Sequence, residues 1–132
     1  MAPTIRGVST SDEAVEIEAP GGLVLFMTSG CLACRQVWAA LSAGSSSALP
    51  RGMTVTVVTP DPSLEDRRQV QLLSPRGVVV VMGTATWQCY RAGPSPWVTV
   101  VSAGRITAEG PAAGWADVVS AAWRGADGRN RS

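Results

Sequence analysis

Two cysteines set two residues apart, Cys31 and Cys34 in Ser29-Gly30-Cys31-Leu32-Ala33-Cys34, are the side chains best placed by type and spacing to do chemistry. They stand where an apolar run, Leu23 to Met27, hands over to a helix-forming stretch, Arg35 to Leu41. At a helix start such a pair can close into a small, reversible disulfide. The unpaired N–H groups and the dipole of the first turn favour a thiolate on Cys31. Thiol–disulfide exchange is therefore the leading chemistry. Cys31 at the exposed helix tip is the expected nucleophile, and Cys34, one turn further in, is the expected resolving thiol. The third cysteine, Cys89 in Thr86-Trp87-Gln88-Cys89-Tyr90, is left over and reads as a buried, inert thiol; a resolving, substrate-contacting or intermolecular role is the alternative.

Other cysteine chemistries fit less well. A structural zinc ion needs four ligands, and the chain has no histidine, so only Cys31, Cys34, Cys89 and a carboxylate could supply them. Covalent haem attachment fails because Arg35 stands where histidine is required. Three cysteines are too few for a disulfide-stapled scaffold. Neither a metal nor a bound cofactor is expected.

The chain has 132 residues, enough for one domain with a real core, and a formal net charge of +1. All eleven basic residues are arginines and they are scattered. That distribution gives no electrostatic footprint for nucleic acid and no polybasic patch for a membrane surface. The longest apolar runs, Leu23 to Met27 and Val78 to Met82, are far too short to span a bilayer. The opening Met1-Ala2-Pro3-Thr4-Ile5-Arg6 lacks the hydrophobic stretch of a secretory signal. As written, the chain reads as cytoplasmic, and as extracytoplasmic if an anchor or signal has been trimmed from it. The expected assembly is a monomer.

The elements that must hold the dithiol follow from periodicity. Leu23 to Met27 is apolar throughout, as in a strand covered on both faces, which points to an α/β layer architecture. The helix after the cysteines should run to about Ser42. Met53 to Val58 and Gly77 to Met82 read as strands. Asp61 to Asp66 reads as a helix opening capped by Asp61, with Leu64, Val70 and Leu73 turned inward. One or two helical turns are expected over Thr84 to Arg91. A strand over Trp97 to Val101 then turns through Ser102-Ala103-Gly104 into Arg105 to Ala108. A closing helix, about Ala112 to Trp123, carries Trp115, Val118, Val119 and Ala122 at helical spacings. The expected division is an N-terminal extension, 1–22, with a candidate edge strand at Val15 to Glu18; a domain, 23–124; and a disordered tail, 125–132.

This order of strand, CxxC, helix, strand, helix, proline-led strand, hairpin and closing helix resembles the thioredoxin superfamily over about residues 14–124. It is most similar to the small disulfide reductases of the cytochrome c maturation type and to the accessory protein for methylamine dehydrogenase. The resemblance is carried by Ser29-Gly30-Cys31-Leu32-Ala33-Cys34, by Ser95-Pro96-Trp97-Val98-Thr99-Val100 and by Gly104-Arg105-Ile106. Residues 63–91 would fill the place of the extra segment those reductases carry. The resemblance implies a thioredoxin-like α/β fold, with a central mixed sheet of about four to five strands flanked by helices.

It also implies a cis Pro96 lying against the dithiol, with the Ser95 backbone beside Cys31 and free to pair with an extended substrate. Proline adds no N–H near the sulfurs. Gly30, Leu32 and Trp97 would complete the substrate-binding surface; Trp97 either points outward beside the dithiol or is half-buried in the core. Trp38, Trp115 and Trp123 read as core, and Trp87 with Tyr90 as core or satellite packing, the lining of a shallow groove being the alternative. The sequence departs from thioredoxin where Leu25 replaces the buried aspartate and Leu32-Ala33 replaces Gly-Pro. With no histidine to act as base, resolution by Cys34 would need water or a carboxylate brought near by the fold, with Asp61 one candidate.

The expected function is a dithiol–disulfide oxidoreductase acting on protein or small-thiol disulfides through a mixed disulfide on Cys31. The alternatives are a thioredoxin-fold interaction or redox-sensing domain with little catalytic activity, and a thiol peroxidase-like protein.

Overall fold

The structure is a computed structural model that describes residues 1–129. Three parallel strands form the centre of its sheet: β3 (Gly22–Phe26), β4 (Val55–Thr59) and β5 (Val79–Met82). Each is rich in Val, Leu or Thr, and each is buried over much of its length, as strands covered on both faces must be. Helix α1 (Leu32–Ser42) links β3 to β4; α2 (Arg67–Leu73) links β4 to β5. After α3 (Thr84–Cys89) the hairpin of β6 (Trp97–Ser102) and β7 (Arg105–Pro111) adds antiparallel to β3, and α4 (Trp115–Arg129) closes the chain.

On the other side, a hairpin of β1 (Ile5–Val8) and β2 (Ala14–Ile17) joins the sheet through Val8 and Met82. The order is β2-β1-β5-β4-β3-β6-β7. The sheet thus has seven strands rather than four to five, and the stretch read as an extension supplies two of them. The candidate edge strand is real, but β1 carries too little apolar sequence to announce itself. Its docking depends on two glycines. A Cβ on Gly7 would collide with the Met82 carbonyl, and one on Gly83 with the Arg6 carbonyl.

The core has two layers. On one face, α1, α2 and α4 bury Cys34, Val37, Trp38, Leu41, Val70, Val118 and Ala122 against Leu23, Leu25, Val57, Val98 and Val100. On the other, Ile5, Val24, Phe26, Val58, Val81, Tyr90 and Val101 pack together, with Trp87 and Trp97 partly buried beside them. Trp87 meets Phe26 edge-on at 5.5 Å, and the Tyr90 hydroxyl donates to the Pro3 carbonyl at 2.5 Å. Trp87 and Tyr90 are therefore packing residues.

Four expectations need correction. Helix α2 starts at Arg67, capped by Asp66, whose Oδ1 accepts from Arg68 N–H (3.0 Å) and Gln69 N–H (3.2 Å). Asp61 instead brackets the start of α3: its N–H donates to Thr84 Oγ1 (2.9 Å) and its Oδ1 accepts from Thr84 N–H (3.1 Å). Leu64 lies in the turn between them and is exposed, not turned inward. Trp123 is half exposed, because its indole N–H reaches out to the Ala48 carbonyl at 2.8 Å. Helix α4 runs on to Arg129 across the stretch read as tail; residues 130–132 of that tail lie outside the described residues.

Candidate functional site: a dithiol at the start of α1

The two cysteines sit past the C-terminal end of β3, the end at which open α/β sheets present their ligand sites. Cys31 is the N-cap of α1, with extended backbone (φ −82°, ψ 128°), and its sulfur accepts from Cys34 N–H at 3.2 Å. It occupies the place of the serine or threonine oxygen that usually caps a helix. A negative sulfur there meets the free N–H groups and the positive end of the helix dipole. Cys34, one turn in, is 0% exposed and belongs to the main core layer. All three cysteines are free thiols.

These surroundings separate the two thiols. Partial burial pushes Cys31 up, but hydrogen bonds from the Cys34 side chain and N–H, the Ser95 side chain and Ala33 N–H outweigh it, so Cys31 lies below the ordinary thiol value. Burial pushes Cys34 up, and the hydrogen bond and negative charge of Cys31 push it further. Backbone Thr28 and the Ser95 side chain pull in the other direction, and Cys34 stands at about 11. One thiol is poised to ionise and the other to keep its proton.

Ser95 comes from the loop facing α1. Cys31 Sγ donates to the Ser95 carbonyl at 3.5 Å, and the Ser95–Pro96 bond is cis. Pro96 is buried, so the loop presents the Ser95 backbone to the sulfur, with no proline N–H to follow. The structure therefore brings Cys31, Cys34, Ser95 and Pro96 together. Leu32, 83% exposed, and Gly30, also exposed, flank the thiol on the solvent side.

Trp97 does not join them. It pairs with Phe26 across β3 and β6, so both rings lie on the second core face, and the Trp97 ring packs so closely on Gly93 that a Cβ there would sit 2.7 Å away. Trp97 thus takes the half-buried alternative, and the apolar surface at the thiol is that of Leu32. Strand parity carries this signal. Val98 pairs with Leu25 on the α1 face, so its neighbour Trp97 must face away. Cys89 is exposed at the end of α3, not buried, and lines a hollow of about 310 Å³ with Pro3, Thr4 and Arg6. Among the described residues no three Cys, Asp or Glu side chains converge as a set of metal ligands.

One residue at the site has no warning in the sequence. Glu65 Oε2 accepts from Ser29 N–H at 2.9 Å, its Oε1 accepts from the Ser29 hydroxyl, and Oε1 also accepts from Asp66 N–H at 2.8 Å. The carboxylate brought to the cysteine loop is therefore Glu65 and not Asp61. No local pattern marks it, because its partner lies 36 residues earlier. Ser95 was expected at the site, but not for its hydroxyl. The resemblance pointed to its backbone, which does meet Cys31 Sγ at 3.5 Å, and its side chain in addition lowers both thiols.

No protein-family model matches the chain. No curated protein sequence matches it either. Solved structures do. The thioredoxin domain of a thiol-disulfide oxidoreductase from Bacteroides vulgatus is 20% identical, with 90% of each chain covered and a TM-score of 0.65. A protein assigned as the thiol:disulfide interchange protein DsbE, from Chlorobium tepidum, is 16% identical over 97% of this chain and 94% of its own, with a TM-score of 0.69. StoA from Bacillus subtilis is 15% identical over 85% of this chain and 91% of its own, with a TM-score of 0.58. The chain has the thioredoxin-like fold, and among solved structures it resembles thiol-disulfide oxidoreductases of the interchange type.

Proposed function

We propose that this protein is a thiol–disulfide oxidoreductase that exchanges the Cys31/Cys34 dithiol with protein or small-thiol disulfides. The observation that carries the reading is the asymmetry of the pair. Cys31 is partly exposed and held below its ordinary pKa by hydrogen bonds from Cys34, Ser95 and Ala33, while Cys34 is sealed at 0% exposure and held at about 11. The reading treats β1 to α4 as one unit, because the β1–β2 hairpin extends the same sheet.

In the reductive direction the Cys31 thiolate attacks one sulfur of the partner disulfide. The partner S–S bond breaks, its far sulfur leaves as a thiolate and takes a proton, and a mixed disulfide forms on Cys31. Cys34 then gives up its proton and attacks Cys31 Sγ, which releases the second partner thiol and leaves a Cys31–Cys34 disulfide. Two electrons have passed from the dithiol to the partner. Once Cys31 is bound in a disulfide its negative charge is gone, which removes one of the groups that raise Cys34. Ser95 at the cis peptide offers its carbonyl to an extended partner segment, and Gly30 and Leu32 supply the open, apolar approach. Trp97 supports the loop from behind.

A second reading keeps the fold and slows the chemistry. The groups acting on Cys34 are Cys31, Thr28 and Ser95, with no carboxylate among them, as a redox-sensing domain with little turnover would have. Equilibration with glutathione redox buffers, together with the rate of insulin reduction, separates the two. Rapid, reversible formation of one Cys31–Cys34 disulfide with turnover supports the oxidoreductase. Reversible formation without turnover supports the sensor, and a pair that never closes rejects both.

A further inference from the structure

We propose that Glu65 is a positioning residue for the dithiol, a clamp from outside α1 that fixes the segment Thr28 to Gly30 through both polar groups of Ser29. The inference rests on the dithiol reading of the site and adds to it the group that sets its geometry.

The segment before Cys31 has three anchors. The Thr28 carbonyl accepts from the Trp38 indole at 3.2 Å, which ties it to the body of α1. The Thr28 backbone hydrogen-bonds Cys34. Ser29 gives its N–H and its hydroxyl to the two oxygens of one carboxylate, Glu65. Gly30, next in line, has nothing within 4 Å of where a Cβ would stand, so it joins the clamped Ser29 to the Cys31 cap with open space beside it. Without the clamp, only the two Thr28 bonds would hold a segment that places both the Cys34 partner and the Cys31 cap.

Glu65 is itself held firmly. The three acids of its segment have separate partners: Asp61 holds Thr84, Asp66 caps α2, and Glu65 alone turns to the cysteine loop. Leu64 N–H donates to the Asp61 carbonyl at 2.8 Å, and Asp66 N–H donates to Glu65 itself, so the carboxylate is aimed by its own turn. Hydrogen bonds to a charged acceptor are about twice as strong as neutral ones. A fixed acceptor of this kind gives the loop one position rather than several. The segment lies between β4 and β5, in the stretch that links α2 to the redox centre.

The test compares the wild type with Glu65→Ala, Glu65→Gln and Ser29→Ala, using alkylation of each cysteine in the reduced protein across pH, read by mass spectrometry, beside a thermal melt. Glu65→Ala should speed alkylation of the buried Cys34 by about tenfold, on the scale of one lost charge-assisted hydrogen bond, and should move the Cys31 pH midpoint upward. Glu65→Gln, which still accepts from Ser29 N–H, should restore most of the Cys34 protection. Ser29→Ala, which keeps the backbone arm and has little reason to misfold, should fall between. A merely structural role would lower the melt in Glu65→Ala and leave the Cys31 midpoint and Cys34 protection as in wild type, and that result overturns the inference. Failure of the dithiol reading shows elsewhere, as a wild-type disulfide that does not exchange with glutathione.

Discussion

The start of α1 and the start of α2 solve the same problem with different atoms. Each leaves free N–H groups at its first turn, and each is capped by a side chain from the residue before it. At α2 the cap is Asp66, which accepts from two N–H groups and lies exposed with no chemistry to offer. At α1 the cap is Cys31, whose sulfur is a poorer acceptor at 3.2 Å but a far better nucleophile once ionised. Around the sulfur the fold adds what α2 lacks: a buried second thiol, a facing peptide from Ser95 and a clamped approach segment. A helix start takes a side-chain cap in both places, and only sulfur as the capping atom can turn that position to chemistry.

Breaking the comparison at its sharpest point means exchanging the cap. Cys31→Ser keeps a capping group, so the melting temperature should stay close to wild type while disulfide exchange falls to background in an insulin or glutathione assay. Next in size is Trp38→Ala, which removes a ring only 1% exposed along with the bond to Thr28. It should cost about 3–5 kcal/mol of stability in a denaturant titration, on the scale of large-to-small core changes.

A pH series should follow with a smaller effect. Cys34 keeps its proton in the folded state up to about 11, against an ordinary 9.0, so between those values the unfolded chain binds fewer protons. Stability should therefore be full below pH 9 and fall as pH rises through 11, and Cys34→Ala should flatten that fall. Cys31 has the opposite sign: its contribution is present above the ordinary thiol value and is lost as pH drops through its lowered one. The smallest change is at the other helix. Asp66→Ala should cost about 1 kcal/mol, a few degrees in a melt, with the alkylation midpoint of Cys31 left where it was.

Which parts were legible in the sequence follows from where their information sits. The covered strands β3 and β6 and the CxxC turn are local patterns, and local patterns survive in a linear reading. Ile5 is fully buried, yet its strand holds Arg6 and Gly7 and looks like a loop until the sheet receives it. Asp61 had the better cap sequence, with Pro62 behind it, but the competing bracket with Thr84 took it and left the cap to Asp66. The direction of Trp97 was decided by register against Phe26, a property of two strands and not of one. Glu65 was invisible for the same reason, since its value lies in Ser29, far away in the chain.

On the proposed function, Cys31, and not simply any accessible thiol, is the reactive group. The protein carries its own control in Cys89, which is exposed outside the site. The direct measurement is to expose Cys34→Ser protein to a disulfide peptide at neutral pH and map the trapped mixed disulfide by mass spectrometry. The adduct should accumulate on Cys31 while Cys89 stays free. An adduct on Cys89 at an equal or greater rate would contradict it.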